Sequence, residues 1–266
     1  MLTVLSLIIT RFSKASSMAA AWLSRKRYQA LFLDLPEDLT SFVRKYMGEE
    51  ISEVELWRSY GYLTGLQEPF INVMRYRMNH IIDVLPRLKY KMPELEVYCY
   101  LDLKCHIEAS RLSEKLLLLE TRERVRKGIK ISEWRELMHD EKELARVGLR
   151  RTIENISEVV KKYSKSTVLY GSFIKPFKDC MKSKGFIVEP IYLQHYWRSP
   201  LDILRIMIWI RGVEYIQDEM FTRCVKGYLK YLDYVISSDD IDVAHDKWVS
   251  ETKPDHSSPC NAGVLP

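Results

Sequence analysis

The sequence predicts an α/β fold: a largely parallel central sheet of five or more strands, flanked by many helices and followed by a helical C-terminal extension. Three observations carry this. Short apolar runs rich in β-branched and aromatic side chains recur at residues 4–9, 30–33, 97–101 and 167–170, and residues 186–193 read as a fifth strand. Unbroken apolarity, without alternation, marks a strand buried on both faces. Between these runs lie long stretches of helical periodicity, and such an interleaving calls for a parallel sheet covered on both sides. Finally, the 266 residues hold only 10 Gly and 10 Pro, with 47% hydrophobic and 29% charged residues, a globular balance that favours long helices over long loops.

The elements follow in order. After the first strand a helix is expected over 13–27, with Ser13 as N-cap and Met18, Ala19, Trp22 and Leu23 on one face. The second strand stops at Asp34. Pro36, Glu37 and Asp38 then open a helix, since Pro suits the first turn and acids suit its positive end. The capping pattern of Ser52 with Glu55 starts another helix, which closes at Gly65. A helix over 68–84 is expected to end at Leu85 and Pro86. The third strand stops at Asp102, and a charged helix runs from about His106 to Lys127, with Gly128 as its stop. A long helix from Ser132 to about Tyr163 carries a core-facing stripe at Leu149, Ile153, Ile156, Val160 and Tyr163. Gly171 and Ser172 turn the chain after the fourth strand, and a helix over 173–184 leads through Gly185 to the fifth. Residues 199–237 are helical with a break near Gly212, and a short helix ends the pattern by 249. The expected organisation is one α/β domain over 1–249, with a sheet-containing core at 1–193, a helical extension at 199–249 and a disordered tail at 250–266.

Charge and composition narrow the class. The formal net charge is +5, but acids and bases interleave, as in Glu120, Arg122, Glu123 and Arg124, which reads first as a solvated helix face. A nucleic-acid accessory role would draw on Arg75, Arg77, Arg122, Arg124, Arg126, Lys127 and Arg150. Five Cys without a C-x-x-C point to reduced thiols. The apolar start lacks a basic leader and is too short to span a bilayer, so a cytoplasmic protein is expected. The charge-rich composition is compatible with a thermophilic source.

In a parallel sheet, ligands bind beyond the strand C-termini. That edge should gather Thr10, Arg11 and Ser13, then Asp34, Glu37 and Asp38, then Asp102, Lys104 and His106, then Tyr170, Gly171 and Ser172. Two acids ending two buried strands, with a His four residues after one of them, form the leading catalytic candidates: Asp34, Asp102 and His106. They suit acid–base chemistry or a divalent metal. The bland alternative is that each acid caps the next helix. Arg11, Gly171 and Ser172 are candidate ligand-binding residues at the same edge. Glu68, Arg75 and His80 would line a second pocket for an anion or polar ligand, or simply form a wet helix face. No phosphate-cradling Gly-rich loop, dinucleotide fingerprint or nucleophile elbow occurs. The apolar helices at 200–236 are buried, or serve as a homodimer or protein-partner interface.

The order of elements over residues 1–193 resembles the superfamily of erythromycin esterase-like, ChaN-like and TraB/Tiki proteins. The second-strand element is Leu31-Phe32-Leu33-Asp34-Leu35-Pro36. The late element is Val168-Leu169-Tyr170-Gly171-Ser172-Phe173-Ile174, closed by Gly185-Phe186-Ile187-Val188. The resemblance implies Asp34 in place of the family's Glu, and retains Gly171. It also implies hydrolase activity, in some members metal-dependent, or haem binding. This chain departs from the pattern where the family places two His: Thr10-Arg11-Phe12-Ser13 has none, and Phe173 and Ile174 stand at the second position. The functional expectations are therefore a divergent hydrolase-like domain, an inactive ligand- or protein-binding member, or a nucleic-acid accessory protein.

Overall fold

The structure, a computed structural model, describes residues 3–9, 13–126, 128–171, 174–194 and 197–252. The chain divides into two compact units. Unit 1 takes residues 1–110 and 147–195, and unit 2 takes 111–146 and 196–266.

Unit 1 is the α/β unit. Its strands are β1 (Val4–Ile9), β2 (Ala30–Pro36), β3 (Glu96–Leu101), β4 (Lys165–Tyr170) and β5 (Ile187–Ile191). They form one sheet in the order β3-β2-β4-β1-β5, and every pair is parallel. The helices are α1 (Ser13–Arg25), α2 (Thr40–Met47), α3 (Glu53–Thr64), α4 (Glu68–Lys91), the start of α5 (Leu103–Arg126), the end of α6 (Ile131–Val160) and α7 (Ile174–Ser183). Local signals account for several ends. Ser52 and Glu55 form the expected capping box on α3, and Gly65 closes that helix at φ 64°, a conformation other residues adopt at a cost.

Two expectations are corrected. The second strand does not stop at Asp34: β2 continues to Pro36, and a 3₁₀ turn over Glu37–Leu39 precedes α2. The helix over 68–84 does not end at Pro86 either, because α4 continues to Lys91. Pro86 forfeits one helical hydrogen bond, but Ile81, Ile82, Leu85 and Leu88 are buried on either side of it, and that packing carries the helix across the break.

Each face of the sheet has its own core. On one face Ile8, Leu31, Leu33, Leu35, Val97 and Leu169 pack with apolar residues of α1, α2, α3 and α4. On the other, Leu5, Leu7, Phe32, Tyr100, Val168 and Tyr170 pack with Ile153, Ile156 and Val160 of α6 and Phe177 and Met181 of α7. The stripe expected on the long helix is thus the α6 seam. The chain leaves β1 and β2 toward the first face and leaves β4 toward the second. β4 lies between β1 and β2, so the helices that follow these three strands lie on opposite faces, the arrangement at which open parallel sheets bind ligands.

Both sheet edges are blunted against further pairing. Along β3, Arg44 of α2 donates through Nε to the Val97 carbonyl (3.0 Å), and the Cys99 amide donates to Thr40 Oγ1 (3.0 Å). Along β5, Pro190 removes an amide donor.

Unit 2 is helical: the end of α5, the start of α6, then α8 (Pro200–Arg211), α9 (Asp218–Ile236) and α10 (Ile241–Thr252). Its core joins Leu112, Leu116, Trp134 and Met138 to Leu201, Leu204, Ile208 and Phe221. Several polar groups inside it are paired, while the buried Trp134 indole nitrogen has no partner among the described residues. Arg205 donates twice to Glu141 (2.8 and 2.7 Å), and Tyr228 donates to Glu120 (2.6 Å). Arg135 holds the bend after Gly212 by donating to the Val213 and Ile216 carbonyls and to Asp218. The apolar face of α8 is spent on this interior. Among the described residues no helix is long and apolar enough to cross a membrane. The tail from residue 253 lies outside the described residues.

Candidate functional site

Asp34 occupies an irregular point in the sheet. Leu33 pairs with Cys99 and Pro36 with Leu101, so two β2 residues, Asp34 and Leu35, stand opposite the single residue Tyr100. This is a β-bulge, uncommon between parallel strands and a known device for re-aiming a side chain. Leu33 and Leu35 both enter the first core, which leaves Asp34 turned to the other side at the strand's end. Its carboxylate is held from both faces of the sheet. The Tyr100 hydroxyl, on the second face, is shared between Asp34 Oδ1 (3.0 Å) and the Leu169 carbonyl of β4 (2.8 Å). From the first face, Arg77 of α4 donates through Nη2 to Asp34 Oδ2 (3.1 Å). The pair is substantially enclosed, with 13% of the Asp34 side chain and 28% of the Arg77 side chain exposed.

Beside this pair stand Tyr60 of α3 and His106 of α5. The Tyr60 hydroxyl and His106 Nε2 are 2.8 Å apart. Burial lowers the His106 pKa below its ordinary value; the Asp34 charge opposes that and the Arg77 charge adds to it. Burial likewise raises Tyr60 above the normal tyrosine range, with Arg77 opposing and Asp34 adding. Tyr100 is pushed well up by burial first and Asp34 second, so it remains a protonated donor. His106 is therefore a neutral imidazole at neutral pH. Asp34, Arg77, Tyr60, Tyr100 and His106 act as one electrostatic group at the carboxyl edge.

Asp102 belongs to a different group. Its carboxylate accepts from the Cys105 amide (2.8 Å), an N-cap of α5, and that backbone bond lowers its pKa. Nearby, Asn155 of α6 donates to Glu37 Oε2 (2.8 Å) and to the Tyr100 carbonyl (3.1 Å). Burial raises the Glu37 pKa, and the charges of Asp38 and Asp102 raise it further. The Asp102 charge thus registers on Glu37 and Cys105, whereas the Asp34 charge registers on Tyr60, Tyr100 and His106. Of the three catalytic candidates, Asp34 and His106 share a group, and Asp102 serves as a helix cap.

The other candidates scatter. Gly171 directly follows β4 at the carboxyl edge of the sheet, while Arg11 and Ser172 lie outside the described residues. Glu68 is exposed in the first turn of α4. Arg75 pairs with Glu53 through Nε and Nη2, both 3.0 Å from Oε1. His80 sits five residues on, about 140° around the helix, so the three do not converge. Arg75 instead lines an open groove of about 400 Å³ with Glu53, Asn72, Tyr76, Asn79 and Asp83. Of the basic residues, Arg75, Arg77, Arg122 and Arg124 are drawn into ion pairs with Glu53, Asp34, Glu133 and Asp233. Arg126 and Arg150 make none among the described residues, and Lys127 lies outside them. Among the described residues no three His, Cys, Asp or Glu side chains are grouped to hold a metal ion.

Sequence reading missed Tyr60 and Tyr100, and placed Arg77 on a nucleic-acid face. Tyr100 carried a signal, as a hydroxyl in a strand buried on both faces must find a partner. No local pattern announces Tyr60. No protein-family model, curated protein or solved structure matches this chain.

Proposed function

We propose that unit 1 is a ligand-binding domain that takes a small carboxylate- or phosphate-bearing molecule at the carboxyl edge of its sheet, with Arg77 as the anion-recognising group. The observation that carries this reading is the commitment of Asp34: both carboxylate oxygens are already engaged, one by Arg77 and one by Tyr100. A carboxylate so occupied orients its arginine. It is poorly placed to serve as nucleophile, free base or metal ligand. Arg77 makes only that one hydrogen bond among the described residues, and the rest of its guanidinium donors remain for a ligand. Support also comes from the strand order, since β4 sits between β1 and β2 and ligands of parallel sheets bind at the carboxyl edge of such a point.

A second reading, a divergent hydrolase, is favoured by one observation. His106 is kept neutral by burial and hydrogen-bonded to Tyr60, as a general base working near neutral pH would be.

Calorimetric titration of the full chain with inorganic phosphate and with citrate tests the first reading. Saturable binding should weaken about tenfold or more in Arg77→Gln and persist in Asp102→Asn. Binding that survives Arg77→Gln, or no binding of either anion, would remove it. For the second reading, release of p-nitrophenol from acetate and phosphate esters should occur and be lost in His106→Gln; an inactive wild type removes it.

A further inference from the structure

We propose that unit 1 carries a second ligand site, the groove beside α4, built for a neutral hydroxyl-rich molecule of the polyol or saccharide class. The groove, about 400 Å³, is lined by Glu53 at the start of α3 and by Asn72, Arg75, Tyr76, Asn79 and Asp83 of α4. That volume falls within the roughly 300–1,000 Å³ of small-molecule pockets.

Helix propensity argues that this stripe is more than a wetted surface. Asn72, Tyr76, Asn79 and Asp83 recur at spacings of four, three and four, on one side of a 24-residue helix. An exposed face of that length is most stable when filled with Lys, Glu, Gln, Arg or Ala. The last turns of α4 follow the rule with Arg87, Lys89 and Lys91, with the exposed Tyr90 as an exception. The groove stripe breaks it four times with poorer helix formers. The Asn72 side chain makes no hydrogen bond among the described residues, and the Asn79 side chain only accepts from the neighbouring His80 amide (2.7 Å), so neither carboxamide braces the fold at a distance. Local stability is forgone at the residues that face the groove.

The donor and acceptor inventory selects the ligand class. Glu53 Oε1 accepts from Arg75 and from the buried Trp57 indole (3.1 Å), which fixes that carboxylate at the groove wall and neutralises Arg75. Asp83 remains as a single acceptor charge, while the two carboxamides both donate and accept. A cation would use only the acceptors and an anion only the donors. A molecule whose hydroxyls do both would use all of them, and the Tyr76 ring offers it a flat apolar surface.

The test is calorimetric titration of the intact chain with maltose and sorbitol, against Asn72→Ala/Asn79→Ala, Asp83→Asn and Arg77→Gln. Saturable binding, in the range of about 0.1–10 mM, is expected for at least one of the two probes. The double alanine variant should lose about tenfold or more in affinity while its Tm holds or rises, because Ala is the better helix former. Asp83→Asn should weaken binding, and Arg77→Gln, which disables the carboxyl-edge site, should leave it unchanged. The proposal is overturned if neither probe binds up to roughly 50 mM. It is equally overturned if the double variant binds as the wild type does, or if spermidine binds in place of both probes and is lost in Asp83→Asn.

Discussion

The carboxyl ends of β2 and β3 look alike in sequence and behave differently. Each is a buried apolar strand that meets an acid, and the two strands pair side by side. After β3, α5 begins at Leu103, so its unpaired first-turn amides face Asp102, which caps Cys105. After β2, the chain stays extended to Pro36, a residue with no amide, and the following 3₁₀ turn has no side-chain cap. Asp34 therefore finds no backbone donor at its own strand end. It is satisfied by Tyr100 and Arg77, which come from opposite faces of the sheet. An acid at a strand end becomes a cap or a site residue according to what the next three residues offer it.

Substitutions sharpen this contrast, and the largest effect is expected at Asp34. Asp34→Ala strands a buried tyrosine hydroxyl and an enclosed guanidinium, and should cost roughly 2–4 kcal/mol in urea unfolding. Asp34→Asn should recover only part of that, because the charge is lost. Tyr100→Phe removes the hydroxyl that ties β3 to both Asp34 and the Leu169 carbonyl, at about 1–2 kcal/mol. Asp102→Ala should cost about 1 kcal/mol, and Asp102→Asn only a few tenths, since Asn caps as well as Asp. Rescue by Asn at position 102 but not at 34 separates the cap from the site.

Acid titration gives a smaller effect. The folded-state pKa of His106 is depressed, so the unfolded chain binds its proton more readily. Stability from this group is complete above the unfolded value, near 6.5, and is lost as pH falls from there through the lower folded value. His106→Gln should flatten the fall in Tm over that window. An unchanged slope would place the titrating group elsewhere.

Much of unit 1 was legible in its residues because burial on both faces leaves a coarse signature. The five strand runs, the capping box at Ser52 and Glu55, and the α6 stripe at Ile153, Ile156 and Val160 all follow from local pattern. Local pattern failed where tertiary packing overrode it. Pro86 reads as a helix stop, yet buried residues on either side hold α4 together. The bulge at Asp34 depends on how β2 registers against β3, which no window of sequence reports. Two of the five site residues were visible, since Asp34 and His106 lie next to strand ends. Arg77 and Tyr60 were not, because they arrive from α4 and α3 through the packing of four helices on one sheet face.

The most direct measurement is a double-mutant cycle on Asp34→Asn and Arg77→Gln, read by urea unfolding, beside a control cycle on Asp102→Asn and Arg77→Gln. A coupling of at least about 1 kcal/mol is expected in the first cycle and within about 0.3 kcal/mol of zero in the second. Additivity in the first cycle, or equal coupling in both, would mean that Asp34 does not hold Arg77 at the sheet edge.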